Sequence, residues 1–241
     1  MRVTSPPAAH ARSRPVAAER EATHRALSLA EVTDVPVVIV HVSNGAAIDE
    51  IARARSRGIN VVGETCPQYL VLTAADLEGM DWSGAKYVCS PPPRDAAEQA
   101  ACWRGITTGV FDLFSSDHCS FRYADAAGKR NPRGLKCFRH IPNGIPGVET
   151  RLPILFSEGV NRGRIGIERF VALTASNQAR TYGLFPRKGT IAIGSDADIA
   201  IWDPRLELRI AHAELHDGED YRATVPRRFS SAAGTAAEPS R

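Results

Sequence analysis

The sequence predicts an α/β fold in which parallel strands alternate with helices. Short apolar runs at 37–42, 60–63, 86–89 and 111–116 alternate with stretches whose apolar residues recur at helical spacing. Runs that are apolar on both faces are typical of strands buried in a parallel sheet. The spacing of these strands suits a (β/α)8 TIM-type barrel, of which they would form half.

Local signals predict the first elements. Ser13-Arg14-Pro15 opens a helix, because proline is favoured in a first helical turn, and an apolar stripe extends that helix to about Val32. Residues 37–42 follow as a buried strand. Residues 46–57 are predicted to be helical, and Gly58 ends that helix.

The later elements include one unusually long connection. A helix is predicted at 95–107, after the proline-rich residues 90–93, and two more at 149–158 and 167–182. Between them, residues 117–147 form a loop rich in glycine and proline. A loop of this length inside a compact domain is usually functional.

The composition changes along the chain and divides it into three segments. Residues 1–186 are predicted to form the partial barrel. Residues 187–216 contain two β segments, 189–194 and 197–202, and are predicted to be part of a small β-sandwich domain. Residues 217–241 become polar and then rich in serine and alanine, so we expect a disordered tail.

Charge and cysteine usage exclude several classes of protein. The chain has 241 residues and a net charge of +3 with scattered basic residues, which argues against nucleic-acid binding. Its five cysteines are dispersed without a Cys-x-x-Cys motif, which favours a reducing, cytoplasmic location. No apolar run approaches the roughly 18 residues of a membrane span. Residues 1–15 lack the apolar core of a secretory signal and are predicted to form a loop.

Two polar residues that follow apolar runs are candidate metal ligands. His41 follows the five apolar residues 36–40, and Asp117 follows the run 111–116. Each has an ordinary explanation, a hydrogen-bonded histidine in one case and a capping aspartate in the other. Together they are more informative, because zinc binds these donor types and parallel strands carry active sites at their carboxyl ends. An aspartate beside a metal can also serve as a general base.

Four further residues lie near the same expected edge of the sheet. His118 is a candidate partner of the metal ligands or a plain loop residue, and Cys119 is interpreted as a packed thiol rather than a nucleophile. Ser90 and Asn143 belong to different loops. They either shape turns or hydrogen-bond the N–H and C=O groups of a cyclic amide.

Several motifs in order give the chain a specific resemblance over residues 13–204. It resembles the dihydropyrimidinase/D-hydantoinase family of the amidohydrolase superfamily. The motifs are SRP (13–15), HVS (41–43), GETCPQYL (63–70), SPPPR (90–94), SDHC (116–119), PNGIPGVE (142–149), NQAR (177–180), GLFPRKGTI (183–191) and GSDAD (194–198).

The resemblance implies a barrel with a binuclear zinc site, an attached β-sandwich and the opening of cyclic diamides to N-carbamoyl amino acids. His41 matches a ligand of one zinc. Asp117 matches the aspartate that binds metal and moves a proton to the leaving nitrogen. Ser90 and Asn143 match residues that hydrogen-bond the substrate ring, and Cys119 matches a neighbour of the site.

The family's remaining site residues have no counterpart in this sequence. These are a His-x-His pair, a carboxylated bridging lysine, a further ligand histidine and a substrate-binding tyrosine. We therefore expect the C-terminal half of the barrel, strands 5–8, with weak metal binding and no activity of the chain alone. A split gene with a separate N-terminal half, a truncated product or an incomplete gene model would each give this sequence. The family also implies a homotetramer.

Two alternatives differ in function. An allantoinase-like hydrolase would share the architecture, but we expect histidine where this chain has Gln68, and no loop like 143–147. A non-catalytic scaffold related to dihydropyrimidinase would keep the fold and lose the ligand aspartate. Asp117 and His41 are both present here.

Overall fold

A three-stranded parallel sheet organises the molecule. The computed structural model describes residues 5–79, 82–207, 210–216, 218–221 and 234–236. The strands β1 (Val37–Ile39), β2 (Val61–Thr65) and β3 (Leu113–Phe114) lie in the order β1-β2-β3. In the parallel register, Val37 pairs with Val61 and Glu64 with Leu113. Parallel strands with crossover helices define an α/β fold, as the sequence predicts.

Eight α-helices surround and follow the sheet in the described part of the chain. They are α1 (Ala8–Arg12), α2 (Val16–Thr33), α3 (Gly45–Ser56), α4 (Gln68–Val71), α5 (Ala96–Thr107), α6 (Arg151–Leu155), α7 (Ile167–Val171) and α8 (Asn177–Thr181). Shorter 3₁₀ turns lie at Ala74–Glu78, Ser83–Tyr87, Phe138–His140 and His212–Glu214. None of the helices in the described residues is long and apolar enough to cross a membrane.

The main apolar core lies between the sheet and the helices that cover it. Ile51 of α3, Ile106 of α5 and Phe114 of β3 are fully buried in it. Gly105 allows α5 to approach the sheet closely, because a Cβ there would lie 2.6 Å from the ring of Phe111. Substituting Gly105 would therefore push α5 away from β3.

Three of the strands predicted from the sequence form, and the strand predicted at 86–89 does not. That prediction was wrong: Ser83–Tyr87 is a 3₁₀ turn, and the chain continues without regular structure. The carbonyl of Val88 accepts hydrogen bonds from the Gly144 amide and from the Lys129 side chain instead of from a strand. Partners distant in the sequence thus replace the expected ladder.

The region after residue 187 contains less β structure than predicted. Residues 189–194 form no strand, and Ile191 and Ile193 are exposed. A short strand β4 (Ala200–Trp202) pairs antiparallel with β5 (Gly234–Ala236), which lies within the predicted tail. The rest of that tail lies largely outside the described residues. Trp202 stacks on Phe156 with ring centroids 4.7 Å apart, so this segment contacts the main core.

The first residues and the last helices also differ in detail from expectation. Residues 1–15 were predicted to be a loop, but within the described part Ala8–Arg12 is helical and His10 is buried. The predicted helices 149–158 and 167–182 each combine α-helical turns with π-helical turns, at Phe156–Asn161 and Ala172–Ser176.

Candidate metal and substrate-binding site

The carboxyl ends of the three parallel strands meet at one edge of the sheet. His41 follows β1, Glu64 lies near the end of β2, and Asp117 follows β3. The Val42 amide donates to Glu64 O at 2.9 Å, and Thr65 Oγ1 donates to Val42 O at 2.9 Å. These bonds fix the chain that carries His41 against the end of β2.

Both candidate metal ligands adopt the left-handed backbone conformation. His41 has φ 44° and Asp117 has φ 47°. Residues other than glycine occupy this region at an energetic cost, and such residues cluster at functional sites. The two candidate ligands thus share an uncommon backbone conformation at the same edge of the sheet.

Two carboxyl groups at this edge, buried Glu64 and half-buried Asp117, interact with His41. Burial raises the pKa of Asp117 above its usual value, and nearby His41 partly offsets that shift. Glu64 is only 6% exposed, and its pKa is also raised by burial, while a hydrogen bond with Ser115 and the charge of His41 oppose the rise. The described residues include no group of three or more potential ligands that could hold a metal ion.

Glu64 is the residue here that the sequence analysis missed. The signal was present, because an acidic residue inside the strand 61–65 breaks an apolar pattern. Buried carboxylates need partners, and this one interacts with both candidate ligands and with Arg151.

A buried ionic network supports the backbone next to His41. Glu19 of α2 accepts from the Ser43 amide at 2.8 Å and from Ser43 Oγ at 2.5 Å. Arg94 donates to Glu19 at 2.9 Å and to Ser43 Oγ at 3.1 Å. Charge-assisted bonds of this kind hold the loop after β1 in one conformation.

Ser90 and Asn143, predicted to bind substrate, lie in contact. Asn143 Nδ2 donates to Ser90 Oγ at 2.8 Å, and Asn143 is exposed. The Gly144 amide donates to Val88 O at 3.0 Å, which ties the two loops together by their backbones as well. The structure therefore brings together two polar residues that are far apart in the sequence.

His118 and Cys119 hold the loop that carries Asn143. His118 Nδ1 accepts hydrogen bonds from the amides of Gly147 at 3.2 Å and Val148 at 3.3 Å. The Cys119 amide donates to Ile145 O at 3.1 Å. A Cβ on Gly144 would lie 2.5 Å from Cys119 Cβ, so the cysteine packs directly on that glycine. Both residues shape the loop.

A cavity of about 520 Å³ opens between α2 and β1. Both His41 and Ser90 line it, together with Glu19 and Arg94 of the supporting network. Asp117 and Asn143 are not among its lining residues. The site residues thus form three linked pairs: His41 with Asp117 by charge, Ser90 with Asn143 by a hydrogen bond, and His41 with Ser90 across the cavity.

The parallel sheet with polar residues at its carboxyl edge is the arrangement of an amidohydrolase. The model of the amidohydrolase family matches residues 8–226. Because that match covers most of the chain, the chain belongs to the amidohydrolase family.

Within that family, the similar proteins are D-hydantoinases and dihydropyrimidinases, which confirms the resemblance seen in the sequence. The chain is 48% identical over 215 residues to the D-hydantoinase of Rhizobium radiobacter, covering 89% of this chain and 46% of that protein. The crystal structure of dihydropyrimidinase from Brevibacillus agri superposes with a TM-score of 0.87 at 42% identity, covering 96% of this chain and 48% of that one. A structure of D-hydantoinase gives a TM-score of 0.90. The chain spans about half the length of these relatives.

Proposed function

We propose that this chain is part of a metal-dependent hydrolase that opens dihydropyrimidine or hydantoin rings to N-carbamoyl amino acids. The observation that supports this most is the pairing of His41 with Asp117, both left-handed, at the carboxyl edge of the sheet. The adjacent contact between Ser90 and Asn143 supplies a polar patch for the ring. In this proposal, residues 1–186 are the C-terminal half of a TIM-type barrel and residues 187–216 part of a β-sandwich.

The residues present fit zinc by donor type but are too few to hold it tightly. Zinc takes imidazole and carboxylate ligands, and catalytic sites use three protein ligands. When bound in such a site, zinc acts as a Lewis acid and lowers the pKa of water. His41 and Asp117 would hold the metal, with Glu64 contributing negative charge beside them.

The roles of the polar residues follow from their positions. Asp117 takes a proton from the attacking water and delivers it to the ring nitrogen that leaves, and its raised pKa favours this exchange. Ser90 and Asn143 orient the ring, because their backbone and side chains carry both donors and acceptors for an N–H and C=O pair. Glu19 and Arg94 keep the loop after His41 in place.

We propose that a second polypeptide segment, equivalent to the N-terminal half of the relatives, completes the site. The cavity beside β1 lies where a further strand would pair, and Ile191, Ile193 and Ile201 expose apolar side chains that need covering. A complete assembly would be a homo-oligomer, a tetramer by resemblance to the family. All five cysteines are free, which supports a reducing, cytoplasmic location.

Complementation tests this proposal. The chain is coexpressed with the N-terminal half of the Rhizobium radiobacter D-hydantoinase in zinc medium, and hydrolysis of hydantoin and dihydrouracil is measured. We expect ring opening by the pair, little by either half, and a loss of at least about 100-fold in the pair carrying Asp117→Asn. The matched control Asp125→Asn, an exposed aspartate in the same long loop, should keep full activity.

Two results would contradict the proposal. Full activity of the isolated 241-residue chain would show that it needs no second segment. A folded, zinc-loaded pair that opens neither ring would favour a non-catalytic scaffold.

A further inference from the structure

Lys129 is a fully buried lysine in the long loop. Its side chain has no solvent exposure. Its Nζ donates to Val88 O at 2.8 Å, to Pro142 O at 2.8 Å and to Gly144 O. An ammonium has three hydrogens, so its donors and these three acceptors match in number.

The burial of this charge is costly, and the nearby charge of Glu219 only partly offsets the cost. Burial lowers the pKa of Lys129 to about 8, so the ammonium still carries its three hydrogens at neutral pH. An apolar side chain of similar length would fill the space without the desolvation penalty. The best explanation for a lysine here is that its hydrogen bonds fix the positions of the backbone carbonyls that it contacts.

The three acceptors belong to the two loops that meet at the polar patch. Val88 precedes Ser90 in one loop, and Pro142 and Gly144 stand on either side of Asn143 in the other. The Lys129 amide is itself fixed by a bond to Arg122 O at 3.0 Å. One ammonium thus cross-links the backbones that carry Ser90 and Asn143.

We propose that Lys129 is a positioning residue that sets the distance between Ser90 and Asn143 and thereby the fit of a cyclic amide. The proposal rests on the proposed function for the identity of the ligand. The effect on the loops does not depend on it. Lys129 itself is enclosed by backbone and does not contact the ring.

Three measurements on the 241-residue chain separate the effect of Lys129 on the loops from its effect on ligand binding. The variant Lys129→Met is compared with Lys136→Met, which removes an exposed lysine from the same loop. Amide hydrogen exchange at Gly144 reports whether the two loops remain linked, with Ala47 of α3 as a remote reference. Binding of hydantoin and dihydrouracil is followed by ligand-observed NMR, and the thermal midpoint reports global stability.

In Lys129→Met we expect Gly144 exchange to accelerate at least tenfold and ring binding to weaken at least tenfold, while Ala47 exchange and the thermal midpoint stay near the parent values. Lys136→Met should match the parent throughout. Unchanged Gly144 exchange in Lys129→Met would overturn the proposal. So would faster exchange with undiminished ring binding.

Should the parent chain bind neither ring, ring binding requires the second segment of the proposed site, and Gly144 exchange alone then decides the linking role of Lys129. If Lys129→Met does not fold, Lys129→Gln replaces it. A glutamine keeps two donor hydrogens on a shorter side chain, so Gly144 exchange should still accelerate, by a smaller factor. Parent-like exchange in this variant would likewise overturn the proposal.

Discussion

The two edges of the parallel sheet differ in how far the rest of the chain covers them. At β3 and just before it, side chains from the later helices donate to backbone carbonyls: Asn177 Nδ2 to Asp112 O at 3.0 Å, Gln178 Nε2 to Phe114 O at 2.9 Å, and Arg169 to Phe111 O. Arg151 of α6 also donates to Phe114 O. At β1, residues 38–42 line the 520 Å³ cavity, and Val40 is 45% exposed.

The difference shows which of the two candidate ligands is held in position by contacts within this chain. Asp117 follows the strand whose carbonyls are satisfied within the chain, so its position is fixed by α6 to α8. His41 follows β1, the strand beside the cavity. The loop after it is held by Glu19, which accepts from the Ser43 amide and from Arg94. An edge strand with unpaired backbone groups is a place for another strand to add. The open edge is therefore the place where the proposed second segment would join.

Acidification should produce the largest change in the free energy of unfolding. It acts through His10, whose partner Arg14 lines the cavity beside β1. Buried His10 donates from Nε2 to Cys89 O at 2.7 Å and accepts from Arg14 at 3.0 Å, and Arg14 lines the cavity. Burial is the main cause that lowers the pKa of His10 to about 4, from an ordinary 6.5. Between these values the unfolded chain binds a proton that the folded chain does not, so stability falls as pH decreases.

The expected loss attributable to His10 is about 3 kcal/mol between pH 7 and pH 4. Urea unfolding of the parent and of His10→Gln across this pH range separates the contribution of His10 from that of the carboxyl groups. The difference between the two curves should change with pH by that amount. Parallel curves would mean that His10 is not held neutral by the fold.

Substitutions at the two edges should differ in cost. Arg151→Met removes a hydrogen bond to Phe114 O and the cation near buried Glu64, so we expect a loss of about 2 kcal/mol in the free energy of unfolding. Val40→Thr at the open edge should cost less than about 0.5 kcal/mol. The exposed Arg53→Met is the matched control for loss of an arginine. Equal costs at Arg151 and Val40 would remove the distinction between the edges.

Local signals in the sequence predicted much of the fold. Pro15 at the start of α2 and Gly58 after α3 place those helices within a residue or two. Asp95 begins α5, and its carboxylate accepts from the amides of Ala97 and Glu98 at 3.0 Å. Such signals act within a few residues and can be read directly.

The predictions that failed depend on contacts between distant residues. The strand expected at 86–89 is absent because the Val88 carbonyl is taken by Lys129 and Gly144. The positions of His41 and Asp117 at the carboxyl edge of the sheet could be predicted, because strand ends can be read from apolar runs; their role as metal ligands stays a prediction. Lys129 was missed because nothing local shows that a charged side chain will be buried among tertiary partners. Glu64 was missed although its charge interrupts an apolar strand, because its partners are distant in the sequence.

Zinc binding by the isolated chain tests the central claim most directly. After chelator treatment and gel filtration, the 241-residue protein is titrated with zinc and its bound metal is measured by elemental analysis. His41 and Asp117 are only two protein ligands, fewer than a stable zinc site uses. The chain should therefore remain almost metal-free at micromolar zinc, and Asp117→Asn should be indistinguishable from the parent. One or more zinc ions per folded chain, lost in Asp117→Asn, would show that this chain completes a metal site by itself and would contradict the account.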